Sequence, residues 1–372
     1  MTKRAALAAL VLFFAWAVPA SAREITVGTV ADILTALQRA KPGDTVTIAP
    51  GDYALPAIRL HHGGTAGHPI TVRARRLGDV TLTSNATEFI KVAAPDWVFE
   101  NLDIAGTCTA DTECEHAFHI VSHADRTVIR RNRIRDFNAH IKGNGEGHRF
   151  PNDVRIENNW LFGTHVRHTD NPIAPIDVVG GRHWVVRGNL IADYGKSFSH
   201  PAMRTDDYGY ALFFKGNSSG TLIEGNVVLC ADRLPHLPYT RGLSLGGSAT
   251  GPQFCEGSCD HDENRDSVIR DNVVLACPSE PGIYLFRATT ARVTGNTLIG
   301  TGGIVAAAPD TSATVTDNTI AGGGIVAQVG ARLDLGHSFH VGGPKDATPP
   351  AFAQKEIAAY RTYWNALTKR KE

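Results

Sequence analysis

Eight short segments of this chain share one pattern: an apolar strand, an asparagine, and a second apolar strand. They read VFENLDI, IRRNRI, IENNWL, VRGNLI, IEGNVV, IRDNVV, VTGNTL and VTDNTI. Their asparagines are Asn101, Asn132, Asn159, Asn189, Asn226, Asn272, Asn296 and Asn318. A period of roughly 22 residues, stretched in places, marks a solenoid whose units bury their apolar faces only by stacking. Asparagine tolerates the left-handed backbone of a tight corner, and stacked asparagines can hydrogen-bond from coil to coil. Three short strands per coil around such a corner predict a right-handed parallel β-helix, an all-β fold. A length of 372 residues then means one stacked column over 23–345 rather than two domains.

Both ends of the column are predicted to be helical. TVADILTALQRA (29–40) spaces Val30, Ile33, Leu34 and Leu37 as a helix does, and Lys-Pro-Gly stops it. Such a helix covers the open N-terminal end of a strand ladder. The tail 346–372, ending EIAAYRTYWNALTKRKE, reads as a helix that folds back or caps the other end.

Residues 1–22 read as an export signal: Lys3 and Arg4, an apolar run from Ala5 to Val18, then the small-residue site Ala20-Ser21-Ala22. The run is short for a membrane span and no later stretch is apolar enough, so a periplasmic or secreted protein is expected, with no span after signal removal. Six cysteines fit an oxidising compartment. Stacking brings Cys230, just after one NVVL strand, close to Cys277, just after the next. Cys108 with Cys114 and Cys255 with Cys259 would close small loops; the C-x3-C spacing of the last pair also admits metal ligands, without a matching second pair. Lys+Arg and Asp+Glu both count 37, so no basic footprint recommends nucleic acid. A monomer is expected.

Expanded turns at 143–153, 194–209, 231–241 and 247–266 would build walls beside a groove. Aligning the first strands of successive coils by their inward residues gives an outward column of His119, His140, Asp177, Phe213, Ser244 and Tyr284. One step along, a second column holds Lys142 and Lys215 with Val179 between them, and Arg287 lies just past its end. The long turns add His168, Arg204 and Tyr210. Cations, histidines, one acid and aromatics on an exposed face suit an acidic polysaccharide. Asp177 pairing with Lys142 or Lys215 is the plainer reading of the charges. The acidic stretch CEGSCDHDEN (255–264) lacks the ligand spacing of a calcium loop and reads as a solvated, disulfide-closed loop.

The opening ITVGTVADILTALQRAKPGDTVTIAPGDY, then GTAGHPITVRA, resembles the start of the chondroitinase B and alginate lyase family of β-helix polysaccharide lyases. With the asparagine coils the similarity covers most of 24–320. The resemblance implies cleavage of a uronate polysaccharide by β-elimination: a lysine removes the C5 proton, an arginine from the next coil acts as acid, and a calcium ion often neutralises the carboxylate. Lys215, in FFKGNSSGTLIEGN, matches the family's lysine, and Lys142, in HIKGNGEGHRFPNDVRIENN, has the same setting earlier. RGLSLGG carries Ser244 and Gly246 where the arginine is expected, with Arg241 nearby. Tyr208 and Tyr210 stand where the family has acidic calcium ligands, with Asp206 and Asp207 further back, so no cofactor is expected, and calcium is the alternative, implied by the resemblance or held by the carboxylates of CEGSCDHDEN. The expected base is Lys215, with Lys142, His140 and Arg241 as neutralising or acid groups and Asp177 to orient them. His119, His168, Arg204, Tyr210, Ser244, Tyr284 and Arg287 are the expected substrate contacts. A hydrolase needs two carboxylates across the groove and the columns offer one. A C5 epimerase shares the lyase's base, and a non-catalytic carbohydrate-binding or envelope β-helix is the reading with no chemistry at all.

Overall fold

The computed structural model describes residues 22–197, 208–235, 239–328 and 330–369. Residues 1–21 of the predicted signal and Arg204 lie outside these residues. The chain forms a right-handed parallel β-helix. Its strands stack into three large parallel sheets, of 12, 10 and 11 strands among the described residues. Alternation makes the core. The strands Ile70–Ala74 and Val80–Ser84 bury every second residue. One inward file runs Ile129, Ile156, Val186, Ile223, Ile269, Val293 and Val315, each register-paired with the next and each fully buried. Each such side chain contributes about 1.5–3 kcal/mol of burial.

The asparagines do form a ladder, in a form that differs from the expectation in two ways. From Asn132 to Asn318, each backbone N–H and side-chain amide donates to the Oδ1 of the next asparagine, for example Asn226 to Asn272 at 2.9 Å for both bonds. The left-handed residue is the one before each ladder asparagine: Arg131, Asn158, Gly188, Gly225, Asp271, Gly295 and Asp317 all have φ between 53 and 69°. A side chain that must reach the next coil is held by ordinary backbone, and the preceding residue makes the corner. Asn101 is accordingly a corner residue, at φ 60°. Strand register places Leu102 in the ladder position, and its N–H donates to Asn132 Oδ1 at 3.0 Å, ending the file.

Helix α1, Val30–Arg39, is capped by Thr29, whose hydroxyl accepts from Asp32 N–H, and buries Ile33, Ala36 and Leu37 over the first coil. Helix α2, Ala351–Lys369, does not cap the far end. It lies on the outer face of the 11-stranded sheet, where Ala353, Ile357 and Tyr360 pack on Phe162, Leu190, Val227 and Leu229. Those four sheet residues point outward, and the helix gives them a second core. Tyr360 donates to Asp193 Oδ2 at 2.6 Å, and Arg361 pairs with Asp232. All three expected disulfides are present: Cys108–Cys114, Cys230–Cys277 and Cys255–Cys259. No helix among the described residues is long and apolar enough to cross a membrane.

Candidate active-site groove

The outer face of the 10-stranded sheet carries a groove of about 1170 Å³. Its walls are parts of two of the expected expanded turns. Asn144 to Phe150 and Gly247 to Cys255, each following a strand of that sheet, both border it. The second wall is fixed from beneath by a fully buried carboxylate. Glu263 accepts from Thr250 N–H at 2.6 Å and from Gly216 N–H at 2.9 Å. Glu256 accepts from Gly181 N–H at 2.8 Å. These two acids of the CEGSCDHDEN stretch therefore bind backbone amides.

Strand register corrects the expected columns. The outward file runs His119, Lys142, Asp177, Phe213, Ser244, Tyr284. Lys142 takes the place given to His140, and the neighbour of Val179 on that side is Asn144, not Lys142. A slip of two residues keeps every side chain on its face, so alternation alone could not detect it. His140 falls out of the file: it is buried, its Nε2 lies 3.1 Å from the Phe162 carbonyl, and burial pushes its pKa down to about 3.

On the groove floor Lys142 Nζ lies 2.7 Å from Asp177 Oδ1. The pair is ionic rather than a well-angled hydrogen bond, since that oxygen has no partner of hydrogen-bond geometry. Lys215 ends the strand Gly209–Lys215. Its Nζ is 3.2 Å from Ser248 Oγ and 5.1 Å from the Phe213 ring centroid. Among the described residues no carboxylate stands within ion-pair distance of it. Burial holds its pKa below the ordinary value; Asp177 acts in the opposite direction, and Lys142 adds to the depression.

Arg241 reaches the groove from the first turn of the next strand, Thr240–Leu245. Its guanidinium lies 3.4 Å from the Tyr208 ring centroid and 4.2 Å from that of Tyr284. Nε donates to Glu280 at 3.1 Å and Nη1 to Tyr210 Oη at 3.0 Å. Tyr210 in turn donates to the Gly247 carbonyl at 3.1 Å. Burial pushes the Tyr210 hydroxyl up to about 12, so it stays protonated through the neutral range. No arginine can stand at Gly246: its φ is 95°, and a Cβ there would lie 1.7 Å from the Phe286 carbonyl oxygen.

The groove thus brings together Lys142, Asp177, Tyr210, Lys215, Arg241 and Tyr284 of the sequence candidates. It does not bring the others. Ser244 is fully buried and donates to the Tyr284 carbonyl. His168 sits on the flank, with Nδ1 against Ser197 Oγ. His119 lies one coil before Lys142, between Glu88 and Asn144. Arg287 is turned toward the Phe286 ring, 5.6 Å away. Sequence reasoning missed Glu263 and Glu280. Each acts through a turn whose partner is distant in sequence, so no local pattern marks it.

No protein-family model matches the chain, and no curated protein matches its sequence. Solved structures do match its fold. An alginate lyase from Paenibacillus sp. str. FPU-7 superposes with TM-score 0.57 at 17% identity, covering 85% of this chain and 99% of that one. A second alginate lyase gives TM-score 0.54 at 16% identity, over 85% of this chain and 63% of the other. A lacto-N-biosidase from Eubacterium ramulus gives 0.58 at 10% identity, over 86% and 68% respectively. At these identities the likeness is one of fold, the parallel β-helix.

Proposed function

We propose that this protein is an exported lyase that cleaves an acidic, uronate-containing polysaccharide by β-elimination. One observation carries the reading: among the described residues the groove's charged lining is Lys142, Lys215 and Arg241 against Asp177 alone, with Lys215 half-buried, depressed in pKa and lacking a carboxylate partner. The cations favour an anionic sugar, and Tyr208, Phe213 and Tyr284 offer faces on which sugar rings stack. Fold neighbours that include alginate lyases support a polysaccharide substrate, and three disulfides fit an oxidising compartment.

In this reaction the free amine of Lys215 takes the C5 proton. The C5–H electron pair becomes the C4–C5 double bond, and the C4–O bond breaks. Tyr210, held by Arg241 and protonated at neutral pH, gives its proton to the leaving oxygen. Arg241 and Lys142 lower the cost of charge on the uronate carboxylate. Asp177 holds Lys142 in place. Burial removes His140 from the acid role.

The lacto-N-biosidase likeness makes hydrolysis the second reading. A hydrolase needs two carboxyl groups about 5–10 Å apart across the scissile bond, and among the described lining residues Asp177 has no such mate. The separating test is incubation with a panel of uronate polysaccharides, followed in the ultraviolet. The lyase yields an absorbing unsaturated end that Lys215→Ala abolishes. Shortened chains without that absorbance mean hydrolysis, and binding without turnover leaves a lectin-like role.

A further inference from the structure

A second cluster of side chains gathers on the N-terminal coils of the groove sheet. Glu88 and His116 are register partners on adjacent strands. His119 follows three residues later, and residues three apart on a regular strand face opposite ways. Here Ala117 and Phe118 both enter the core, so the alternation breaks and the two imidazoles meet, with ring centroids 5.0 Å apart. One nitrogen of each histidine and one oxygen of Glu88 lie within 4.8 Å of one another.

A neutral ring cannot satisfy the polar contacts of His119. Nδ1 is 2.7 Å from Glu88 Oε1, and Nε2 is 2.6 Å from Asn144 Oδ1. Both neighbours are acceptors; Asn144 turns its amide nitrogen to the Gly145 carbonyl. A neutral imidazole has one N–H, so a further positive species belongs at one of these contacts. His116 has the complementary defect: its Nδ1 is buried without a hydrogen-bond partner.

We propose that Glu88, His116 and His119 bind a divalent transition-metal ion of the zinc class. Two imidazole nitrogens and one carboxylate oxygen are the ligand set of an open zinc-type centre, whereas calcium prefers oxygen throughout. Asn144 accepting from Nε2–H selects the tautomer whose Nδ1 lone pair faces the ion, as outer partners of metal-bound histidines do. The three ligand side chains keep 26, 16 and 11% exposure in chain order, which leaves open positions within reach of solvent. Nearby cations are each matched by a carboxylate: Arg59 by Glu88 Oε2 at 3.2 Å, Lys91 by Glu146 at 2.5 Å and Lys142 by Asp177. Asn144 also lines the groove, so one hydrogen bond joins this centre to its wall. The site stands whether or not the groove is a lyase.

Titration of the chelator-treated full chain with Co²⁺ alone tests the site by visible absorption and by bound metal per chain. The expected result is saturable binding of one ion, displaced by Zn²⁺ but not by Ca²⁺, and lost in His116→Ala and His119→Ala. Asn144→Ala should weaken it about ten- to hundredfold. Glu88→Gln, nearly isosteric, guards against loss through misfolding and should also weaken binding at an unchanged melting temperature. Absence of saturable binding overturns the assignment. So does binding that these variants leave unchanged.

Discussion

In the proposed elimination, the surroundings of Lys215 suit it to the role of base. Its ammonium is disfavoured first by burial and then by Lys142, while Asp177 favours it. Elimination needs the free amine, so activity should rise with pH along a limb that lies below the ordinary lysine value of 10.5. The two neighbours move that limb in opposite directions. Lys142→Ala removes a depressing charge and should shift it to higher pH. Asp177→Asn removes a raising charge and should shift it to lower pH. Profiles of kcat/KM against pH for the three proteins check both signs, and a limb unmoved by either variant removes Lys215 as the titrating base. Lys215→Ala itself should lower kcat about 10²–10⁴-fold, the usual worth of a positioned general base, with circular dichroism unchanged. At this scale the structure brings part of the expected residue set into one groove. Lys215, Arg241 and Tyr210 were legible from strand ends and turns, whereas His140 was misplaced because a two-residue slip leaves alternation intact. The His116–His119 pair gave no signal, since its meeting depends on a break in alternation that only packing produces.

Away from the groove, the asparagine file and the outer helix brace the stack of coils. Asn226 donates from backbone and side chain to Asn272 and from its amide to the Val186 carbonyl at 3.0 Å, all in a buried corner. Asn226→Ala strands those partners and should cost about 1–3 kcal/mol, read as a fall in thermal midpoint. Asn101→Ala should cost less, because Asn101 is a half-exposed corner residue outside the file. The repeat was plain in the sequence, yet its first copy sits one position out of phase. Only strand pairing shows that Leu102 ends the ladder. The helix of the tail was equally readable, but its seat was not. Phe162, Leu190, Val227 and Leu229 are outward residues of separate coils, and their common strip exists only after stacking. Removing residues 350–372 should expose that strip and the buried Asp193 carboxyl. The truncated protein is expected to bind an apolar dye and aggregate, while the full chain does neither.

Across the whole molecule, a column of coils brings sequence-distant turns to the border of one groove. The first wall comes from 144–150 and the second from 247–255, about a hundred residues later, yet both border one floor. The chain has no net charge, with 37 cationic and 37 acidic side chains, so attraction for an anionic polymer must come from local placement rather than overall balance. Binding of a uronate polymer should therefore weaken with salt and weaken further in Arg241→Ala, measured by calorimetry. The most direct measurement is the ultraviolet absorbance of a uronate polysaccharide incubated with the protein. A rise in absorbance with chain shortening, absent in Lys215→Ala, is the predicted result. Chain shortening without that rise, or a rise that persists in Lys215→Ala, would contradict the account.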